Sequence, residues 1–233
     1  MKTLYLIPAR GGSKGIPNKN RKLLLGKALI FYSIDVAKEL SEAENICVST
    51  DDKNIATLCE NYGLSIPFLR PAKYAKDESS TDDVIIHALD FYRKQNKLFD
   101  CVVLLQPTSP MRTSKHISEA MKLFSLNVDM VVGVKESKSN PYTVLMEEGN
   151  NGYLKKSKKS KIIISRRQDA PHVYEVNGAI YIINVKSFLK KGTLGSLKRI
   201  KKYVMPEEVS IDLDTPLDWE IASFLMTKKI AHK

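Results

Sequence analysis

The chain has 233 residues, of which 43% are hydrophobic and 27% charged, and its formal net charge is +11. This composition excludes a wholly disordered protein, and apolar runs of only five to seven residues exclude a membrane-spanning helix and a signal-peptide core. The positive charge predicts an anionic partner, for which nucleic acid, a membrane surface and nucleotide phosphates all qualify.

Strands and helices are predicted to alternate from the N-terminus to residue 134. In chain order they are strand Thr3–Pro8, helix Ala28–Leu40, strand Asn45–Ser49, a helix from Asp51 or Asp52 to Asn61, strand Ser65–Leu69, a helix from Ser80 or Thr81 to Gln95, strand Asp100–Leu105, helix Ser114–Asn127 and strand Asp129–Val134. Alternation with short connections predicts an α/β fold in three layers, with a mostly parallel twisted sheet between helices on both faces.

The alternation fails between residues 136 and 178. Two apolar pieces, Tyr142–Met146 and Ile162–Ile164, are broken there by turn residues and lysines. We expect an inserted hairpin or lobe within a single domain that covers residues 1–233. Because such a lobe has little to bury its apolar face against, we expect it to pack on a second copy of the chain. The pattern resumes with strand Ala179–Asn184, helix Val185–Lys190, strand Lys202–Met205 and helix Thr215–Lys228.

Three cysteines, Cys47, Cys59 and Cys101, lie far apart, and no Cys-x-x-Cys pair or histidine cluster accompanies them. We therefore expect buried, reduced thiols of a cytoplasmic protein. This spacing argues against both a disulfide framework and a zinc site.

The loop after the first strand, residues 9–20, has the most distinctive composition. The first 34 residues contain seven basic side chains and no acidic one. Three glycines allow backbone N–H groups to converge on a phosphate, and Arg10, Lys14 and Lys19 add full charges. The spacing fits neither the P-loop nor the dinucleotide fingerprint. We predict a basic flap over a triphosphate, against the alternative of an exposed flexible loop.

A second basic run, Lys155–Lys161, contains five lysines in seven residues. We interpret it as a solvated hairpin tip. A nucleic-acid or membrane-surface binding module is the rival class of function. Single-strand nucleic-acid modules interleave basic residues with exposed aromatics, and neither this run nor residues 9–30 contains an aromatic residue. The aromatic content therefore argues against that class.

Two further loops carry polar side chains suited to binding a ligand. Gln106 follows a buried strand and offers an amide donor and acceptor to a base or a sugar, although the same Pro-Thr-Ser-Pro loop is also an ordinary turn. Arg166 and Arg167 follow an apolar stretch and suit a carboxylate or a phosphate. The alternative for the two arginines is a surface pair neutralised by Asp169.

The segment before the last helix contains two aspartates at positions i and i+2. On an extended chain Asp212 and Asp214 project to the same face. Two such carboxylates repel each other unless a cation lies between them, and Mg²⁺ takes one or two carboxylates together with phosphate oxygens. The alternative is that Asp214 caps the helix that begins at Thr215, which leaves Asp212 unexplained.

Seven segments, in this order along almost the whole chain, resemble the acylneuraminate cytidylyltransferase family, whose members make CMP-sialic acid. They are IPARGGSKGIPNKN (7–20), STD (49–51), LRPAKYAKDESST (69–81), LLQPTSPMR (104–112), RRQDAP (166–171), NGAIY (177–181) and SIDLDTPLD (210–218). Related 3-deoxy-octulosonate enzymes carry Ser-Thr-Arg in the first loop, where this chain has Ser13-Lys14-Gly15.

The resemblance implies a nucleotide-diphospho-sugar transferase-like fold, a homodimer, and no nucleic acid or membrane partner. It also implies that CTP and a nine-carbon keto sugar acid, with Mg²⁺ as cofactor, give a CMP-sugar and pyrophosphate. The C2 hydroxyl of the sugar would attack the α-phosphorus, and the catalytic residues would be Arg10, Lys14 and Asp214.

The resemblance further assigns residues to each substrate. Those that would hold the triphosphate and cytidine are Arg10, Lys14, Lys19, Asn20, Arg70 and Ser80. Those that would face the sugar are Gln106, Arg167 and Tyr181, and the Mg²⁺ ligands would be Asp212 and Asp214. No histidine is needed as a base, since His87 lies within a predicted helix and is expected to be structural.

Two positions depart from the family pattern. Members with tight sialate recognition often have a lysine near position 143 and an arginine just before Asn-Gly, where this chain has Thr143 and Glu175. We predict N-acylneuraminate as the preferred sugar, with legionaminic or pseudaminic acid as the alternative. A chain with this fold but no activity is a third reading, against which the presence of both Asp212 and Asp214 argues.

Overall fold

The computed structural model describes residues 1–75, 79–159, 164 and 166–231, with the backbone only at Arg167 and at residues 229–231. Its strands are β1 (Thr3–Pro8), β2 (Leu23–Leu24), β3 (Lys27–Ala28), β4 (Ile46–Ser49), β5 (Cys101–Leu104), β6 (Met130–Glu136), β7 (Met146–Glu148), β8 (Leu154–Lys156), β9 (Tyr174–Asn184) and β10 (Ile200–Val204). Its helices are α1 (Leu29–Lys38), α2 (Lys53–Asn61), α3 (Thr81–Lys94), α4 (Ser114–Leu123), α5 (Val185–Lys191) and α6 (Pro216–Ala231).

The central sheet has the strand order β10-β6-β9-β5-β1-β4. Strand β1 pairs in parallel with β4 and β5, and β6 pairs in parallel with β10, whereas β9 runs antiparallel to both β5 and β6. Because β1 and β5 are parallel neighbours, their carboxyl ends lie at the same edge of the sheet. The loops that follow these two strands therefore meet at one place.

The residues of β1 show how the sheet divides the core. Tyr5 and Ile7 pack in one apolar cluster and Leu4 and Leu6 in the other, because successive side chains on a strand point to opposite faces. Side chains from α1, α2, α4 and α6 join the first cluster, and side chains from α3 and α5 join the second. The prediction of helices on both faces of a mostly parallel sheet is confirmed.

Two helices begin at the capping residues that the sequence indicates. The Asp52 carboxylate accepts a hydrogen bond from the Asn54 backbone N–H at 2.7 Å, at the start of α2. The Ser80 hydroxyl accepts from the Asp83 backbone N–H at 3.2 Å, and the Asp83 carboxylate accepts from the Ser80 backbone N–H at 3.0 Å. This reciprocal capping box fixes the start of α3.

The predicted strand Ser65–Leu69 is wrong. Only one isolated bridge, between Thr50 and Leu69, links this stretch to a neighbouring segment among the described residues. Pro67 lies in the middle of the stretch and has no N–H to give to a ladder. The chain therefore runs beside β4 without forming a strand.

Other elements differ in their bounds. The predicted helix Ala28–Leu40 begins one residue later, because Leu25 and Gly26 have positive φ values of 48° and 78° and close the short β2–β3 hairpin before it. The predicted helix Ser114–Asn127 ends at Leu123, where Phe124 turns to an extended conformation and packs against the core.

The strands at the far side of the sheet also shift. Strand β9 begins at Tyr174 and not at Ala179, because antiparallel pairing with β6 continues beyond an irregularity between Val132 and Val134. Strand β10 spans Ile200–Val204, slightly earlier than predicted.

Residues 136–178 contain the β7–β8 hairpin, which forms a sheet of its own. Large apolar side chains are exposed on it and beside it: Val144, Leu145, Met146, Tyr153 and Leu154. The lysines of β8 are exposed, and Lys158 lies over the ring of Tyr142 at 5.0 Å. Residues 160–163 lie outside the described part, so the predictions about the end of the lysine run and about Ile162–Ile164 stay predictions.

Cys47, Cys59 and Cys101 are free and buried, as expected. Burial raises the pKa of Cys47 and of Cys59 to about 12, so both are thiols at neutral pH. Among the described residues, no helix combines the length and the apolar character needed to cross a membrane.

Candidate active site

A cleft of about 520 Å³ opens where the loops after β1 and β5 meet. The basic flap (residues 9–20), the stretch around Arg70 and the start of α3 also contribute to its walls. Most of the residues to which the sequence analysis gave a role lie there together: Arg10, Lys14, Lys19, Asn20, Arg70, Ser80, Gln106 and Asp214.

The basic flap is packed against the segment that carries the two aspartates. Lys19 Nζ donates to the Leu213 carbonyl at 2.5 Å and to the Asp214 carboxylate at 3.1 Å. Gly15 approaches the same segment so closely that a Cβ there would clash with the Asp214 carbonyl oxygen. These two contacts favour an ordered flap over the alternative of an exposed flexible loop.

Asn20 closes the base of the flap. Its side chain is buried, and its Nδ2 donates to the Arg10 carbonyl at 2.9 Å. Two residues earlier, Asn18 has a left-handed φ of 53°, which asparagine tolerates better than most residues. Asn20 thus shapes the loop that carries Arg10, in addition to lining the cleft.

A carboxylate that the sequence analysis left without a role orients Arg70. Asp51 Oδ1 accepts from the Gly11 backbone N–H at 3.2 Å and lies 3.4 Å from Arg70 Nη2. Burial lowers the pKa of Arg70, and the charge of Asp51 opposes that shift. Asp51 directly follows β4 and the Thr50 bridge. Through its contacts with Gly11 and Arg70, it connects the flap to the buried guanidinium group in the cleft.

The start of α3 faces the cleft. Ser79, Ser80 and Thr81 all line it, and the unpaired N–H groups of a helix start carry partial positive charge. The Ser80 hydroxyl is already used in the capping box, so Ser80 has a structural role as well as a position in the wall. Burial lowers the pKa of His87, further along α3, and its ring packs edge-on against Phe68 at 4.6 Å.

The side chains of Gln106 and Asp212 both approach Gly178 closely. A Cβ at Gly178 would lie 2.9 Å from Gln106 Oε1 and 3.2 Å from Asp212 Oδ2, and Gly178 has a φ of 71°. A side chain at this position would therefore be strained and would displace both groups. Tyr181 lies on the same strand; burial, and then the charge of Asp212, raise its pKa.

Asp212 is partly buried, and its Oδ1 has no hydrogen-bond partner among the described residues. Burial raises the pKa of Asp212, while a hydrogen bond from the Thr108 side chain opposes that shift. Asp212 and Asp214 both line a second cavity of about 690 Å³. Its other polar lining residues include Lys135, Glu175, Asn177, Glu207, Glu208 and Asp218.

The alternative role of Asp214 as a helix cap is excluded. The Asp218 carboxylate accepts from the Thr215 backbone N–H and hydroxyl, both at 2.7 Å, and the Thr215 hydroxyl accepts from the Asp218 backbone N–H at 3.3 Å. Thr215 and Asp218 thus cap α6 between them. The Asp214 carboxylate is exposed and is available on the cleft side, beside Lys19.

Asp212 and Asp214 fit a hard divalent cation whose remaining ligands come from substrate phosphates and water. Asp212 supplies a buried carboxylate oxygen without a partner, and Asp214 supplies an exposed carboxylate. In the part of the chain that the structure describes, no group of three or more His, Cys, Asp or Glu side chains could hold a metal by itself. Mg²⁺ takes one or two carboxylates and completes its shell with phosphate oxygens and water.

The structure describes the side chain of Arg166 but only the backbone of Arg167. Arg166 Nε and Nη2 donate to the two Asp169 carboxylate oxygens at 3.0 and 3.1 Å, which is the surface pair offered as the alternative. Arg167 begins the turn Arg167–Asp169, and its side chain lies outside the description. Its predicted contact with the sugar therefore stays a prediction.

Three polar residues in and behind the cleft were not singled out from the sequence: Thr108 lines the cleft, and Arg112 and Asn177 are buried. Thr108 contacts Asp212, as described above, and its carbonyl accepts from the Leu213 backbone N–H at 2.9 Å. Arg112 and Asn177 are buried and hydrogen-bonded to the backbone around Gln106 and Gly178. Both fall within quoted motifs, but single-sequence reasoning has no signal for a buried polar side chain whose partners are backbone groups.

Two solved structures share this fold. A CMP:2-keto-3-deoxy-manno-octonic acid synthetase in complex with CTP superposes with a TM-score of 0.68 at 18% identity, covering 98% of this chain and 100% of that one. A 4-diphosphocytidyl-2C-methyl-D-erythritol synthase from Anaerococcus prevotii superposes with a TM-score of 0.66 at 12% identity, covering 97% and 99%. At these identities the likeness concerns the fold.

Sequence relatives are closer. A CMP-N,N'-diacetyllegionaminic acid synthase of Legionella pneumophila is 34% identical over 97% of each chain. A pseudaminic acid cytidylyltransferase of Campylobacter jejuni is 32% identical over 100% of this chain and 99% of its own. An N-acylneuraminate cytidylyltransferase of Streptococcus agalactiae is 38% identical over 94% of this chain, which spans about half (52%) of that protein.

The family model of the cytidylyltransferases matches residues 4–225. This match covers the basic flap, the loop of Gln106 and both aspartates. Together with relatives above 30% identity along almost the whole chain, it shows that this protein belongs to the cytidylyltransferase family.

Proposed function

We propose that the protein transfers the cytidylyl group of CTP to the C2 hydroxyl of a nine-carbon keto sugar acid and releases pyrophosphate. The observation that carries this proposal is the contact of Lys19, in the basic flap, with the Leu213 carbonyl and the Asp214 carboxylate, in the segment that also contains Asp212. Cations for a triphosphate and the Asp214 carboxylate line one cleft, and Asp214 also lines the second cavity together with Asp212. This arrangement suits a metal-assisted attack on the α-phosphorus.

On the nucleotide side, cations surround the place proposed for the triphosphate. Arg10, Lys14 and Lys19 come from the flap, and Arg70 comes from the stretch after Leu69. The new bond joins the sugar oxygen to the α-phosphorus, and the bond to the β-phosphate oxygen breaks. Arg10 and Lys14 stabilise the negative charge on the departing pyrophosphate, and the hydroxyl proton leaves to water.

On the metal side, Asp212 and Asp214 would hold Mg²⁺. When bound, the ion neutralises phosphate charge and lowers the pKa of the attacking hydroxyl. The protein's own contribution is to keep Asp212 partly buried beside Thr108 and to keep Asp214 free of the α6 cap. Lys19 holds Asp214 on the cleft side.

On the acceptor side, Gln106, Tyr181 and Arg167 would contact the sugar. Tyr181 is neutral at pH 7, as a tyrosine with an ordinary pKa of about 10 is, and burial raises its pKa further, so it can donate a hydrogen bond to a sugar oxygen. We retain N-acylneuraminate as the preferred acceptor. Homodimer formation through residues 136–178 and a cytoplasmic location also stay predictions, the first supported by the exposed apolar side chains of the hairpin.

Legionaminic acid is the second candidate acceptor, and the second cavity favours it. Glu175 stands where the family pattern led us to expect an arginine, and it pairs with Lys135 Nζ at 3.4 Å. Carboxylates only accept hydrogen bonds, and a sugar with two N-acyl groups supplies two N–H donors. The Legionella relative, which matches over 97% of its own length, is named for such a diacetylated sugar.

The proposal is tested by pyrophosphate release with Mg²⁺, using CTP, UTP, ATP and GTP in turn, each with and without N-acetylneuraminate, legionaminate, pseudaminate and 3-deoxy-octulosonate. We expect release only with CTP and only with a nine-carbon acid. A tenfold or greater preference for legionaminate, pseudaminate or the octulosonate, on the order of what one pocket contact provides, would overturn the choice of N-acylneuraminate. No release with any acceptor would overturn the proposed function.

A further inference from the structure

Arg112 is buried behind the cleft without a carboxylate partner. Only 3% of its surface is exposed. Its Nη1 donates to the Gln106 carbonyl at 3.1 Å and to the Ala179 carbonyl at 2.8 Å, and its Nη2 donates to the Ser33 hydroxyl at 2.5 Å. These partners are all neutral, and Nε has no partner among the described residues.

A cation in such a place is costly. Burial lowers the pKa of Arg112 to about 9, since the charged form loses its hydration and gains no opposite charge. A methionine fills a similar space with no charge to desolvate. The guanidinium is therefore retained for the groups that it binds, because one planar fork reaches three acceptors on different segments.

Two of the three hydrogen-bonded groups, the Gln106 and Ala179 carbonyls, belong to the segments proposed to contact the sugar. The Gln106 carbonyl belongs to the residue whose amide faces Gly178, and Ala179 is the next residue after Gly178. Asn177 continues the network: its Oδ1 accepts from the Ala179 backbone N–H at 3.1 Å, and its Nδ2 donates to Ser210 Oγ at 2.9 Å. Ser210 lies two residues before Asp212.

We propose that Arg112 is a positioning residue for the acceptor half of the reaction. By holding the backbone of Gln106 and of Ala179, it fixes the positions of the Gln106 amide and of Gly178, which the Asp212 carboxylate also approaches. It makes no such bond to the basic flap, to Arg70 or to α3, which form the nucleotide half. This inference rests on the proposed function and adds a residue to it.

The test compares Arg112→Met and Arg112→Lys with Arg199→Met. Arg199 is a matched control, because it is also a hydrogen-bonded arginine, whose Nε and Nη2 bind Asp129 at 3.1 and 2.7 Å far from these loops. For each protein we would measure kcat and KM for the acceptor and for CTP, the Kd of CTP without acceptor by calorimetry, and Tm.

We expect Arg112→Met to lower kcat/KM for the acceptor about 30-fold or more, as small misplacements near reacting groups do, while the Kd of CTP stays within about three-fold. Arg112→Lys keeps the charge without the fork and should lose about ten-fold in the same quantity. Arg199→Met should lower Tm and leave both kinetic constants within about two-fold.

Two results overturn the inference. One is a folded Arg112→Met protein whose acceptor kcat/KM stays within about two-fold of the wild type, and the other is an equal loss of CTP affinity and acceptor kcat/KM, as general loosening produces. If Arg112→Met does not fold, Arg112→Lys decides by the same criterion. If neither folds, Arg112→Gln, which removes the charge and the fork and keeps one neutral hydrogen-bond donor group, decides by the same criterion. A wild-type protein inactive with every acceptor refutes the proposed function itself, which is a separate outcome.

Discussion

Lys19 is the residue at which the two functional segments of the chain meet. Its ammonium group contacts both the backbone and the carboxylate of the aspartate segment, and only 12% of its side chain is exposed. The same contact leaves Asp214 off the α6 cap and turned to the cleft. The proposed chemistry therefore depends on charged side chains that neighbouring residues, and not regular secondary structure, hold in place.

Removing one carboxylate charge should stop turnover without removing the nucleotide. Asp212→Asn and Asp214→Asn each keep the side-chain size, and each should lower kcat by about 10²–10³-fold, the typical effect of losing one electrostatic contact to the transition state. The Kd of CTP should change much less. Steady-state kinetics at saturating Mg²⁺ and calorimetry provide the measurements.

Asp100→Asn is the control for those variants, because the Asp100 carboxylate accepts from the Lys2 backbone N–H at 2.7 Å, at the amino ends of β1 and β5 and not at their carboxyl ends, where the cleft lies. It should lower Tm, since a hydrogen bond to a charged group is weakened, and leave kcat within about two-fold. Near-normal turnover in both metal-site variants would contradict the assignment of Asp212 and Asp214.

Lys14 of the basic flap should be needed for CTP binding and turnover, and the lysines in and after the β7–β8 hairpin should not. Lys14→Ala should weaken CTP binding and lower turnover, because Lys14 lines the cleft in a stretch without acidic residues. Replacing Lys156, Lys158 and Lys159 together by serine removes three charges from the solvated hairpin and should leave activity within a few-fold. The reverse pattern in a kinetic comparison would contradict this division of the charge.

At the scale of elements, Asp129 connects the starts of β6 and β10. Hydrogen bonds from the Arg199 side chain, and then from backbone N–H groups, hold the pKa of Asp129 below its usual range. The carboxylate accepts from the Lys198 and Arg199 backbone N–H groups at 3.2 and 3.0 Å. Strand β10 is an edge strand, so this carboxylate holds the edge of the sheet in place.

Acid should weaken this connection in a defined direction. Because the folded-state pKa of Asp129 is depressed, its contribution is complete above the unfolded-state pKa of about 3.9 and is lost as pH falls further. Urea unfolding at pH 7 should show a loss of about 1–3 kcal/mol in Asp129→Asn. Between pH 5 and pH 3 the wild type should lose stability more steeply than the variant. Parallel pH profiles would contradict this role.

The sequence predicts the strands of this sheet better than its connections. Apolar runs such as those of β1 and β5 are buried on both faces, and no other element suits them. Ser65–Leu69 has strand-like composition, but Pro67 removes a ladder donor. The turn at Leu25–Gly26 needs a leucine with positive φ, which composition does not indicate.

The residues of the candidate site also fall into two groups, those that the sequence indicates and those that it does not. The flap cations and the paired aspartates could be found from charge and spacing along the chain. Arg112, Asp51 and Thr108 could not, because each acts through a partner that folding brings close from elsewhere in the chain. The sequence likewise does not indicate that Asp218 caps α6, because Asp214 is an aspartate just before the helix and is the more obvious capping residue.

At the scale of the whole molecule, the exposed apolar hairpin predicts association. Val144, Leu145 and Met146 are more than two-fifths exposed, in or next to the two-stranded β7–β8 sheet. Light scattering at micromolar concentration should give about twice the chain mass of 26.3 kDa, because a symmetric pair buries this surface most simply. A mass of one chain would contradict the homodimer.

The central claim is that a sugar hydroxyl displaces pyrophosphate from the α-phosphorus of CTP. Phosphorus NMR of the protein with CTP, Mg²⁺ and N-acetylneuraminate tests it most directly. We predict that the three CTP resonances give way to one phosphodiester resonance and to pyrophosphate in equal amounts, and only when the sugar acid is present. Formation of CDP and inorganic phosphate, or the same products without the sugar, would contradict the account.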